Sequence, residues 1–193
     1  MSFERGFKSW AERTSQNFRR DFGLQVYSPL DPALLAAHLD VTLCTPKEIP
    51  GLPQKVLDQL LEHDPSGWSA VSLYQGDRGL VIFNPVHSKG RQASDIMHEL
   101  AHLVLDHKPA SVILSHDGTL VMRSYDQKQE DEANWLAWCL LLPRDALARC
   151  ARKAASIAAI AEEYGVSKTL VTFRLRVTGV HAQIRYLQRL RHT

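Results

Sequence analysis

The sequence lacks several features that would settle its class at once. No apolar run approaches the roughly 18 residues that a membrane-spanning helix needs; one of the longest, Leu136 to Leu142, is far shorter. Met1 to Arg20 mixes Arg, Lys and Glu without an apolar stretch, so no secretory signal is read there. Cysteine is scarce, and Cys44, Cys139 and Cys150 are odd in number with no CxxC spacing. That argues against a disulfide framework or a cysteine-built zinc site and points to reduced thiols in a cytoplasmic protein. No internal repeat or low-complexity tract interrupts the chain. Hydrophobic residues make up 45% and charged residues 23% of the 193, a balance that excludes disordered and fibrous classes.

Net charge is also small, at +2, but it is unevenly spread. Residues 144–193 hold ten Lys or Arg against three acids, giving +7 and leaving −5 on residues 1–143. The asymmetry divides the chain into two modules, 1–143 and 144–193. The basic one either meets a polyanion or docks electrostatically on the acidic one.

Periodicity predicts an α+β fold, with helices at both ends and a small sheet between them. Met1 to Phe22 reads as a polar helix carrying Phe3, Phe7, Trp10 and Phe18. Asp31 to Leu39 reads as a short helix with Pro32 in its first turn, followed by a proline-rich loop from Thr45 to Pro53 and a helix over Gln54 to Glu62. Trp68 to Tyr74 and Gly79 to Phe83 are β-rich runs separated by turn chemistry. A helix is predicted over Gln92 to Asp106, strands near Ser111 to Leu114 and Thr119 to Arg123, and a strong helix over Asp126 to Leu142. The basic tail is helical in pattern.

The most informative residues are His98-Glu99-Leu100-Ala101-His102. HExxH on a helix sets two imidazoles one turn apart, where both can hold one Zn²⁺, with a carboxylate beside them to accept a proton from water. Chance alone produces the pattern in roughly one chain of this composition in fifty, so its surroundings matter. Ile96, Met97, Leu100, Leu103 and Val104 form a continuous aliphatic stripe, and the two histidines straddle the opposite direction. They are therefore not core histidines.

A catalytic zinc needs a third protein ligand and one open position. In the helix over Asp126 to Leu142, the apolar stripe is Ala133, Leu136, Ala137, Leu140 and Leu141. On a helical wheel Glu130 lies about 50° from its centre, Glu132 about 110° and Asp131 about 150°. Attraction to the helix N-terminus explains Asp131 and Glu132, but not an acid on the apolar side. Glu130 is thus the expected third ligand, with Asn134 one turn on as its support. Glu99 is expected to take a proton from attacking water and pass it to the leaving amine. Tyr125, His107 and His116 are candidate donors to the tetrahedral oxyanion, and spacing does not choose among them. His107 follows His102 too closely for the longer metzincin spacing, so it is not assigned to the metal.

These residues resemble the ImmA/IrrE family of cytoplasmic zinc metallopeptidases. The likeness rests on Asp95-Ile-Met-His-Glu-Leu-Ala-His102 and on Glu130-Asp-Glu-Ala-Asn-Trp-Leu-Ala-Trp-Cys-Leu-Leu-Leu-Pro143, which is similar to the family's ExxANxFAxxLLxP segment. It covers about residues 68–143 and includes Val81-Ile-Phe-Asn-Pro85. Leu136 and Trp138 depart from the family's Phe and small residue at apolar packing positions. The resemblance implies a zincin-like core of gluzincin type, with Glu130 as third ligand. It also implies a regulatory protease cleaving a helix-turn-helix repressor of stress, mobile-element or toxin–antitoxin-like genes.

Within the basic module, Ser156 to Gly179 has the form of a helix-turn-helix. Ile157, Ile160 and Ala161 lie on one helix, Gly165 fits the turn, and Ser167 can cap the second helix. Lys168, Thr169 and Thr172 would face a DNA groove, and Arg174 and Arg176 would meet phosphates. The same helix pair also serves plain packing or repressor docking. Three functions follow from the sequence: a zinc endopeptidase, a DNA-binding regulator with a structural or sensory metal, and an interaction module with a vestigial site.

Overall fold

The polar N-terminal segment forms α1 (Phe7–Asp21), whose aromatic side chains Phe7, Trp10 and Phe18 turn toward the interior. The structure is a computed structural model and describes residues 3–75, 78–107, 111–114, 120–123, 126–180 and 182. Helix α2 (Pro32–His38) starts where proline chemistry predicts. Pro32 occupies the first turn, and the Asp31 carboxylate accepts from the Ala33 N–H at 2.9 Å. Strand β1 (Val41–Cys44) follows directly. Four residues are too few for alternation to register, so the sequence predicts no strand there. Helix α3 (Gln54–Asp58) runs into a π-helical turn, Gln59–His63, where a single helix is expected from sequence.

Strands β2 (Ala70–Gln75) and β3 (Arg78–Phe83) form the predicted hairpin, and β1 joins the far side of β3 in parallel. Ser72 pairs with Val81, and Val81 pairs with Leu43, so these residues share the face turned toward the core. Val71 and Leu73 point the other way and are exposed. Beneath the sheet lies α4 (Lys89–Val104), with Ile96, Met97, Leu100 and Ala101 buried. Strands β4 (Ser111–Leu114) and β5 (Leu120–Arg123) make a separate antiparallel pair.

Helix α5 (Gln127–Leu141) packs against α4 and α1. Its buried set adds Trp135 and Cys139 to the stripe read from sequence, because the helix is covered on more than one side. The last carbonyls of a helix have no partner within it and need donors from elsewhere. Here they come from distant segments. Ser15 Oγ donates to the Cys139 carbonyl at 2.7 Å, and Arg19 Nη2 donates to that of Leu140 at 2.7 Å. Arg174 Nε donates to the Leu142 carbonyl at 3.0 Å. Two buried cations thus meet the negative end of the helix dipole. Burial lowers the Arg19 pKa to about 10, which leaves it charged at neutral pH.

The tail folds as α6 (Arg144–Arg152), α7 (Ile157–Glu163) and α8 (Lys168–Thr178), with Ser167 Oγ accepting from the Leu170 N–H to cap α8. Gly165 makes the α7–α8 elbow at φ +61°, in the left-handed region that favours glycine. Its carbonyl lies 3.2 Å from where a Cβ on Gly90 would sit, so the elbow rests on the first turn of α4. Trp138, one of the two departures from the family pattern, stacks edge-on against Phe173 at 4.7 Å and so joins α5 to α8. All three cysteines are free thiols, and burial raises the Cys139 pKa to about 12. Among the described residues no helix is long and apolar enough to cross a membrane.

Candidate metal centre

Because α4 buries its aliphatic side under the sheet, His98 and His102 emerge together on the side facing the start of α5. Glu130 comes down on them from the first turn of α5. His98 Nε2 lies 3.1 Å from His102 Nε2, and the Glu130 oxygens lie 3.2 Å and 3.5 Å from the two imidazole nitrogens. A tetrahedral ion with bonds of 2.0–2.1 Å separates its ligand atoms by about 3.3 Å. The three side chains therefore bring their donor atoms close enough together to hold one divalent ion. Among the described residues this is the only such convergence of His, Cys, Asp or Glu.

Glu99 accepts a hydrogen bond from the Ser72 hydroxyl on β2 and lies near enough to His98 and Glu130 to feel their charge. Burial raises its pKa above the ordinary carboxylate range. The Ser72 bond and the neighbouring His98 pull it down in part, and Glu130 and Asp95 push it up. Ser72 is absent from the sequence-based set of site residues. Its signal is a polar residue on the inward phase of an alternating strand.

The structure sets His107 against His102 and Glu132. Its Nδ1 lies 3.0 Å from His102 Nδ1, and its Nε2 lies 3.4 Å from a Glu132 oxygen, so each ring nitrogen has a polar neighbour within the protein. Glu132 itself is only 14% exposed and turns inward, which attraction to the helix N-terminus does not explain. Asn134 donates to the main-chain carbonyl of Glu130 at 2.8 Å, not to its carboxylate. Tyr125 and His116 lie outside the described residues. Lys168, Thr169, Thr172 and Arg176 share the exposed face of α8. Arg174 does not. It is fully buried and paired with Glu12 at 2.6 Å, so it meets no phosphate.

A second polar group was also missed from sequence. The buried Asn84 donates to the carbonyls of Pro65 and Trp68 and accepts from the Val86 N–H, pinning the bend between β3 and α4. There His87 Nδ1 lies 3.0 Å from an Asp95 oxygen, one turn before Glu99.

The family model for the IrrE N-terminal-like domain of the M78 peptidases matches residues 56–176. The chain belongs to this metallopeptidase family. The M78 match takes in the hairpin, both site helices and most of α8. The fold is similar to a solved structure described as a Mycobacterium tuberculosis transcriptional regulator, at 18% identity and a TM-score of 0.54. That alignment covers 90% of this chain and 47% of the other, so the M78 chain spans about half the length of that neighbour. No curated protein matches the sequence.

The His102 environment is expected to make metal-free protein lose stability in mild acid. Burial, then the neighbouring His98 and His107, lowers the His102 pKa to about 4. In the unfolded chain an imidazole titrates near 6.5, so below that pH the unfolded state binds the extra proton first. The contribution of His102 to stability is therefore full above about 6.5 and lost as pH falls toward about 4. Glu99, whose pKa is raised, acts in the opposite sense, so the imidazole is isolated by comparison with His102→Phe. In urea unfolding of metal-free protein from pH 7 to 5, wild type should lose more stability than that variant. Equal losses would count against this environment for His102.

Proposed function

We propose that the chain is a zinc-dependent endopeptidase of the cytoplasm that cleaves a helix-turn-helix transcriptional repressor. The observation that carries this reading is the convergence of His98, His102 and Glu130 beside a buried, separately held Glu99. Two imidazoles and a carboxylate suit zinc, and other divalent ions also accept such donors. A divalent ion held there supplies a Lewis acid that polarises a peptide carbonyl and activates water.

The chain's own groups supply the proton chemistry. Burial makes the Glu99 carboxylate a stronger base than an exposed one, suited to taking a proton from water and delivering it to the leaving amine. Ser72 fixes one Glu99 oxygen, leaving the other for that transfer. Ser72 sits on β2, which lies at the edge of the three-stranded sheet. An extended peptide can hydrogen-bond along such an edge and pass its backbone close to Glu99.

A regulator as substrate is supported by the ImmA/IrrE resemblance, while the structural neighbour's description links a related fold to transcription. A second reading, a DNA-binding regulator with a structural metal, draws on the exposed Lys168, Thr169, Thr172 and Arg176 of α8. The test is incubation of the purified, zinc-loaded chain with a repressor encoded beside it. Cleavage stopped by a chelator and restored by zinc supports the peptidase. Duplex binding that falls steeply with salt, with no cleavage, supports the regulator and sinks the peptidase.

A further inference from the structure

Helix α4 ends in a way that carries His107 back over the metal site. Asp106 adopts φ 53°, in the left-handed region, directly after the C-cap residue Leu105. The Asp106 N–H then reaches the Leu103 carbonyl at 3.0 Å, and the His107 N–H reaches that of His102 at 3.0 Å. This pair of bonds defines a Schellman cap, in which the second residue past the cap lies against the third helical residue from the end. An apolar contact commonly fills that place. Here it is filled by the imidazoles of His107 and His102, edge to face at 5.0 Å.

We propose that His107, backed by Glu132, is a positioning residue that sets the tautomer and orientation of His102. The inference rests on the reading of His102 as a metal ligand and goes beyond it. If His102 Nε2 offers its lone pair to an ion, its proton must reside on Nδ1. That Nδ1–H donates to His107 Nδ1 at 3.0 Å, which forces the His107 proton onto Nε2. Nε2–H is then the ring edge that faces the Glu132 carboxylate, 3.4 Å from Oε2. This assignment pairs the two Nδ1 atoms as donor and acceptor and turns the remaining His107 N–H toward a carboxylate. The second Glu132 oxygen faces Lys128 Nζ at 3.9 Å, which balances the carboxylate at its outer end. With 8% of the His107 side chain exposed and 14% of Glu132, the relay is largely shielded from competing water. His98 lacks such support, since its buried Nδ1 has no hydrogen-bond partner among the described residues. His102 is thus the oriented ligand of the pair.

Partners of this kind typically change metal affinity 10- to 100-fold. Zinc affinity, read by competition with a chromophoric chelator, should therefore weaken about 10- to 100-fold in His107→Phe. His107→Asn, which returns an acceptor near the position of Nδ1, should recover most of that loss. Thermal unfolding of the metal-free proteins separates loss of fold from loss of the relay. Imidazole ¹H–¹⁵N correlation spectra of zinc-loaded wild type require no variant and should show neutral His107 protonated on Nε2. Unchanged zinc affinity in a folded His107→Phe, or a His107 proton on Nδ1, overturns the relay and leaves the metal site standing. A wild-type chain that takes up no zinc overturns both.

Discussion

Glu99→Gln is expected to lower peptide cleavage by about 10² to 10⁴-fold while leaving the metal in place, the range associated with losing a positioned general base. The substitution keeps the side chain's shape and leaves an amide oxygen to accept from the Ser72 hydroxyl, so the contact that holds residue 99 survives. What disappears is the ability to accept a proton. Because Glu99 lies outside the group formed by His98, His102 and Glu130, zinc stoichiometry should not change. Cleavage rate and metal content measured on the same preparation separate the two effects. A variant that cleaves at the wild-type rate would remove Glu99 from the chemistry. One that loses its metal would mean the residue belongs to the ligand set instead.

Arg174→Ala should give the largest effect on stability, about 3–5 kcal/mol, because it strips the partner from charges already out of water. The guanidinium is fully buried, donates to Glu12 at 2.6 Å, and caps the end of α5 through the Leu142 carbonyl. Removing it takes a donor from that carbonyl and leaves the Glu12 charge with neutral partners such as the Arg144 N–H. For a chain of this size the loss corresponds to a fall in Tm on the order of 10 °C. Arg176→Ala, on the exposed face of the same helix, should change stability by about 0.5 kcal/mol or less. Urea unfolding of the two variants makes the comparison, and similar midpoints would contradict the account.

Arg174 also shows where sequence reading stops. Leu170, Val171 and Arg174 fall on one side of α8 by ordinary helical spacing, so its burial was legible in the period. Residue type argued the other way, since an arginine in a basic helix-turn-helix reads as a phosphate contact. The helices α4 and α5 were legible because each carries a long aliphatic stripe, and the wheel placed Glu130 on the side of α5 that faces α4. The inward turn of Glu132 was not legible. It depends on His107, which the Schellman cap brings back by a turn at Asp106 that no periodicity encodes. Strand β1 escaped for a related reason, because its place is fixed by pairing with β3 and not by its own four residues. Local period thus reveals helices and their faces, while partners supplied by distant segments emerge only in the assembled fold.

The central claim is that His98, His102 and Glu130 hold one divalent ion. Native mass spectrometry of the purified chain, with elemental analysis of the same sample, tests it most directly. Wild type should carry one zinc or another divalent ion per chain, and Glu130→Ala should lose most of it while keeping its fold. A folded wild-type chain that binds no metal, or a Glu130→Ala variant that binds as tightly as wild type, would contradict the account.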